Sequence, residues 1–131
     1  MAFKTTIKKL PNEPIIVLTP VWDLDAQPEN PLLPNELLAF LNKLSEPVFQ
    51  IADLSDAELN MDDLMIGATV MGRGETSPFH HPNLRQTVVV TRSAAVRATA
   101  MGMGYDVYGN LYIPVYENFE DALAYVRSQL A

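Results

Sequence analysis

His80 and His81 are the only histidines in the chain, and they stand side by side before Pro82. Neighbouring side chains on one backbone point in different directions, so this pair alone is a poor chelate. Zinc would need further ligands such as carboxylates, and a catalytic zinc an open position. Glu75 is the nearest acid, and with Ser77 and His80 it completes a Ser-His-acid set on paper. All three belong to one short loop with Gly72 and Gly74, and no nucleophile elbow or oxyanion arrangement accompanies them. Loop residues ahead of a proline are the simpler reading, and no hydrolase is expected. The absence of cysteine removes disulfides, thiolate catalysis and Cys-based metal sites. Gly102-Met103-Gly104 follows a helical pattern rather than a strand, so it reads as helix termination and not as a dinucleotide loop. No catalytic residue, metal or cofactor is expected.

Charge offers a second kind of chemistry. The 131 residues carry 9 basic and 16 acidic side chains, a net charge of −7. That balance disfavours a duplex-binding role, because phosphate neutralisation needs a cationic surface. The charge is uneven along the chain. Six acids and no base lie between Glu46 and Asp63, whereas Arg73, Arg85, Arg92 and Arg97 face Glu75 alone between 73 and 97. Arg92-Ser93 falls where a strand has ended and a helix begins. The free N–H groups of such a junction, with the Ser93 hydroxyl, Arg92 and Arg97 a turn later, can hold an anion. The competing reading neutralises the site internally, with Arg92 or Arg97 paired to Asp53 or Asp63. Asp62 and Asp63 themselves sit in the first turn of a helix capped by Asn60, where carboxylates favour the positive dipole end.

These groups need elements to position them. Lys4–Lys9 and Pro14–Val21 read as hairpin arms around the turn Pro11-Asn12-Glu13-Pro14. Ile15-Ile16-Val17-Leu18 is a continuous apolar run suited to a strand covered on both faces. Leu33, Leu37, Leu41 and Leu44 form a helical stripe ending before Pro47. Val48–Ala52 predicts a third strand, ending at Asp53-Leu54-Ser55, and Met61, Leu64, Met65 and Ala68 the buried side of a second helix. A loop runs from Gly72 to Asn83. Thr87–Thr91 is the clearest strand, since β-branched residues fit a pleated buried surface. Ser93 caps a third helix, which Gly102 and Gly104 stop. Leu111–Val115 is the last strand, and Asn118 with Asp121 resembles a capping box for the final helix. The order is ββαβαβαβα, an α/β chain forming one domain. Alternation of strands and helices implies a largely parallel sheet, with the opening hairpin as an antiparallel edge.

In this order and spacing the chain resembles the STAS family, in the branch similar to bacterial anti-sigma factor antagonists. Four stretches carry the resemblance: Phe49–Ser55, Met61–Leu64, His81–Arg85 with the Val88–Val90 strand, and Phe119–Val126. It implies a mixed, mostly parallel sheet of four to five strands with helices packed largely on one face. It also implies a protein that binds partners or ligands rather than transforming them. Regulatory members of the family carry an Asp-Ser pair entering the second helix, whose serine is phosphorylated. Asp62-Asp63 matches that pair here, and a carboxylate cannot serve as a reversible phosphoryl acceptor of that kind. Asp63 then reads either as a fixed negative mark, with roughly half the charge of a phosphoserine, or as ordinary helix N-terminal chemistry.

The expected function is a non-enzymatic cytosolic binding or regulatory module acting through protein contacts, at a surface including Asp62, Asp63, Arg92, Ser93 and Arg97. The alternative is a carrier or sensor of a small apolar or amphiphilic ligand. It rests on Met61, Met65, Met71, Met101 and Met103 and on Tyr105, Tyr108, Tyr112 and Tyr116. Helix-on-sheet packing and half-buried strand positions account for the same residues. No apolar run suits a signal peptide or a membrane span. A homodimer is compatible with the sheet edge left by the hairpin.

Overall fold

The computed structural model describes residues 2–23, 32–55, 78–104 and 110–130. Five strands form one sheet in the spatial order β1-β2-β3-β4-β5. They are β1 (Ala2–Lys9), β2 (Ile15–Asp23), β3 (Val48–Asp53), β4 (Leu84–Val90) and β5 (Val115–Tyr116). β1 and β2 pair antiparallel, and every later pairing is parallel. Three helices complete the described fold: α1 (Leu32–Asn42), α2 (Ala94–Gly102) and α3 (Phe119–Leu130). The helix expected over residues 60–68 lies outside the described residues. Elsewhere the order is as expected, and no described helix is long and apolar enough to cross a membrane.

The hairpin turns where its sequence says it should. Asn12 takes a left-handed conformation (φ 63°), which asparagine tolerates better than most residues. The Leu10 N–H donates to the Ile15 carbonyl at 2.9 Å and closes the loop. β1 is the sheet's outer edge. Lys8 and Lys9 are exposed there, and such charge discourages pairing with a further strand.

The apolar run in β2 is covered on both faces because alternate residues face opposite layers. Ile16 and Leu18 join Leu37, Leu41, Val48, Val89, Val96 and Ala100 beneath α1 and α2. Ile15 joins Phe49, Ile51, Val88, Val90, Ala122 and Val126 beneath α3. Two of the three described helices therefore share one face, and the C-terminal helix covers the other. α3 is capped as its sequence suggests: the Asn118 Oδ1 accepts the Asp121 N–H at 2.8 Å. Its far end is tied to the hairpin turn. Arg127 donates from Nε and Nη2 to the two carboxylate oxygens of Glu13, at 3.0 and 2.9 Å.

That bidentate bond gives the fold an acid-sensitive latch. The hydrogen bond from Arg127 holds the Glu13 carboxyl below its ordinary value of 4.5. A lowered native pKa stabilises the fold above the ordinary value, and the stabilisation is lost as pH falls through the lowered one. The melting temperature of wild type should exceed that of Glu13→Gln near neutrality. The difference should close below pH 4.5, which a pair of thermal melts across pH would check.

The boundaries of β4 and β5 and the capping of α2 depart from the sequence reading. β4 begins at Leu84, not Thr87: β3 pairs with it from Val48↔Leu84 onward, across a register shift at Val48/Phe49. Arg85 is accommodated there with its guanidinium carbon 4.7 Å from the centre of the Phe49 ring. β5 is shorter than the expected Leu111–Val115 and spans Val115–Tyr116. Pro114 has no N–H to give to a ladder, and its carbonyl accepts the Val89 N–H at 2.9 Å, where pairing starts. α2 does stop at Gly102, but through a right-handed terminal turn in which the Met103 N–H donates to the Ala100 carbonyl. Met103 is buried in the core there. Gly104 sits so near α2 that a β-carbon on it would lie 3.3 Å from the Met101 carbonyl oxygen.

Candidate functional site

The junction after β4 is built as its sequence suggested. The Thr91 N–H donates to the Tyr116 carbonyl at 2.8 Å, which extends the sheet's order past the end of β4. The Thr91 hydroxyl then accepts the Ser93 N–H at 3.0 Å. Ser93 is the N-cap of α2, and its Oγ accepts the Val96 N–H at 3.2 Å. Ser93 thus fills one of the open positions at this helix end. Arg92 and Arg97 are both exposed on either side of the cap.

The neighbouring strand brings Asp53 to the same end of the sheet, opposite Val90. Its Oδ1 accepts both the N–H and the hydroxyl of Ser55, at 3.2 and 2.6 Å. Internal neutralisation of Arg92 or Arg97 by Asp53 does not occur. Glu13–Arg127 is the ion pair among the described residues, and it lies elsewhere. Asp62 and Asp63, expected beside this junction, lie outside the described residues, so the structure assembles Arg92, Ser93 and Arg97 only.

The histidine loop is structural at His81. The Nδ1 of His81 accepts the Asn83 N–H at 3.0 Å, so its proton resides on Nε2, which donates to the Asn42 Oδ1 at 2.7 Å. Both ring nitrogens are occupied in joining this loop to the end of α1. Asn83 completes the joint: its Nδ2 donates to the carbonyls of Leu41 and Leu44, at 2.8 and 3.2 Å. Leu41 is in the last turn of α1, where carbonyls lack the usual i+4 partner, and its carbonyl also accepts the Leu44 N–H at 3.2 Å; Leu44 lies just past the helix. No group of three or more potential metal ligands occurs among the described residues. Ser77 and Glu75 of the paper triad lie outside them.

Of these methionines and tyrosines the structure describes Met101, Met103, Tyr112 and Tyr116. Met103 is core and Met101 is 71% exposed, while Met61, Met65 and Met71 lie outside the described residues. Tyr116 packs on Tyr125 with ring centroids 5.7 Å apart. Burial pushes the Tyr116 phenol up from its ordinary value, and Tyr125, Tyr112 and Asp121 add to the shift. Tyr112 is 72% exposed, and Tyr105 and Tyr108 lie outside the described residues.

Sequence reasoning passed over two polar side chains in the sheet. Gln50 of β3 and Thr87 of β4 are register partners, 1% and 5% exposed. Neither the Gln50 amide nor the Thr87 hydroxyl has a hydrogen-bond partner. Each orphaned group costs roughly 1–3 kcal/mol of desolvation. A glutamine interrupting Val48-Phe49-Gln50-Ile51-Ala52 was the available signal. Thr87 also contributes to a cleft of about 220 Å³, where the 110–113 segment runs past β4 without pairing. Arg85 and Gln86 stand beside it, and Phe79, Tyr112 and Ile113 supply apolar walls. The Gln86 amide is already engaged, accepting from the Tyr125 hydroxyl and donating to the Tyr112 carbonyl.

Comparison with solved structures fits this geometry. An anti-sigma factor antagonist from Mycobacterium paratuberculosis superposes with a TM-score of 0.56 at 24% identity, over 96% of this chain and 95% of that one. A protein of the DUF3478 family from Shewanella loihica PV-4, described as having a SpoIIAA-like fold, gives 0.55 at 14% identity, over 95% and 94%. The fold is SpoIIAA-like. No family model and no curated protein sequence matches the chain. The SpoIIAA-like fold thus accounts for nearly the whole length, and it is the STAS-type architecture that the four sequence stretches suggested. Within it, the Arg92–Arg97 segment sits at the carboxyl end of the parallel strands, where open α/β sheets tend to bind.

Proposed function

We propose that this chain is a non-enzymatic STAS-like binding or regulatory module that works in the cytoplasm through contacts with another protein. The observation that carries the reading is the likeness to an anti-sigma factor antagonist, a protein named for acting on another protein, along 96% of this chain. The contact surface is the α2 entrance, with Arg92, Ser93 and Arg97. Exposed guanidiniums without a carboxylate partner among the described residues suit an acidic or phosphate-bearing surface on the partner. Asp62-Asp63 stands where the regulatory serine would be, so the module operates without phosphorylation at that position.

The test is affinity capture from the native cell, with wild type compared against the double variant Arg92→Glu, Arg97→Glu. Both positions are exposed, so the variant should fold normally. Wild type should retain a protein that the variant loses, since like charges placed across an interface repel. Equal retention by both, or nothing above background, contradicts the reading.

A further inference from the structure

Beyond its entrance, α2 is apolar on the side that faces water as well as on the side that faces the sheet. Val96 and Ala100 supply the buried side. Ala94, Arg97, Ala98 and Met101 are exposed, and their spacing (i, i+3, i+4, i+7) gathers them on one side of the helix. Thr99 turns its hydroxyl back into the helix, donating to the Ala95 carbonyl at 2.9 Å. Met101 ends the outer side at 71% exposure, and methionine suits surfaces that repack around a partner. A helix that is apolar all round is ordinarily a covered one. The contrast is with α3, whose outer side carries the exposed charges Glu120, Asp121 and Arg127.

Charge narrows what can cover it. No acidic residue occurs between Glu75 and Asp106, in a chain of net charge −7. Neither Arg92, just before α2, nor Arg97 within its outer side has an ion-pair partner among the described residues. We propose that the partner's contact element is an acidic amphipathic helix laid along α2. Its apolar side would rest on Ala94, Ala98 and Met101, and its carboxylates on Arg92 and Arg97. A helix suits this side better than a strand, because α2 offers a ridge of side chains and a backbone already bonded within itself. A second copy of this chain does not suit it. A two-fold contact centred on this side would set Arg97 against the other copy's Arg97. The inference rests on the protein-contact reading and adds the chemistry of the partner.

Photocrosslinking and one blocking variant of the full chain test the proposal. Benzoylphenylalanine replaces Met101, or Ala124 on the exposed side of α3 as the control, during capture from the native cell, and the joined peptide is sequenced by mass spectrometry. Position 101 should join to a partner segment with apolar residues three and four apart and Asp or Glu beside them. Position 124 should not. Ala98→Tyr leaves the charges in place and enlarges an exposed position, so its melting temperature should stay near that of wild type. Its affinity for the purified partner should fall roughly tenfold or more, because a bulky ring holds the two helices apart. Undiminished affinity of Ala98→Tyr, for a partner that the Arg92→Glu, Arg97→Glu variant loses, overturns the helix and leaves the protein-contact reading standing. So does a captured partner that position 101 never joins. A crosslink to a second copy of this chain, or to a segment without acids or without helical spacing, overturns it as well. Capture of nothing above background overturns both.

Discussion

Leu41→Ala is expected to destabilise the protein by about 2–5 kcal/mol, the cost of deleting a fully buried leucine side chain from a packed layer. Leu41 is 0% exposed in the layer between α1 and the sheet. A chain of this length has roughly 7–20 kcal/mol of stability in all, so this single change removes a large share. At roughly 4 °C per kcal/mol the melting temperature should fall by roughly 8–20 °C. Val126 occupies the other layer, under α3, and is also 0% exposed. Leu41→Ala and Val126→Ala share no layer, so their free-energy losses should add to within about 0.5 kcal/mol. Denaturant unfolding of the two single variants and the double variant measures this. A large deviation from additivity would mean that the sheet does not separate the two cores.

Asn83→Ala is expected to cost about 1–3 kcal/mol, which is large for a half-buried polar residue. Its side chain donates to the Leu41 and Leu44 carbonyls, and removal leaves both without that partner. The backbone part of the joint, with the Val48 N–H donating to the Asn83 carbonyl at 2.8 Å, should survive. Hydrogen exchange should therefore quicken at the end of α1 and much less in β3. Asn83→Asp should not rescue the variant, because a carboxylate offers acceptors to carbonyls that need donors.

Features governed by near neighbours were readable from residue types. The Ile15–Leu18 run, the Leu37 and Leu41 stripe, the Ser93 cap and the Asn118–Asp121 cap are patterns written within a few residues of sequence, and each takes its expected form. The features that escaped depend on distant partners. Leu84-Arg85-Gln86 lacks the β-branched character of Thr87–Val90, and it becomes strand through β3 and the Phe49 ring. The sequence of α3 shows an apolar side but not which face of the sheet will receive it. Likewise Leu111–Pro114 has strand-like residues, but its pairing begins at the Pro114 carbonyl.

The candidate sites divide in the same way. Arg92, Ser93 and Arg97 were visible because a strand end followed by a capping serine is a local pattern. The role of His81 was not, since its partners are Asn42, 39 residues away along the chain, and the Asn83 backbone. The cleft was also hidden, because it joins Arg85 and Thr87 to a segment beyond α2.

The proposed function places a protein against the surface at the entrance to α2. Hydrogen exchange of the chain, alone and with its captured partner, addresses it most directly. The amides from 92 to 97 should exchange more slowly in the complex, while the outer strand of the hairpin is unchanged. Protection confined to β1, with the 92–97 amides exchanging as in the free chain, would contradict it.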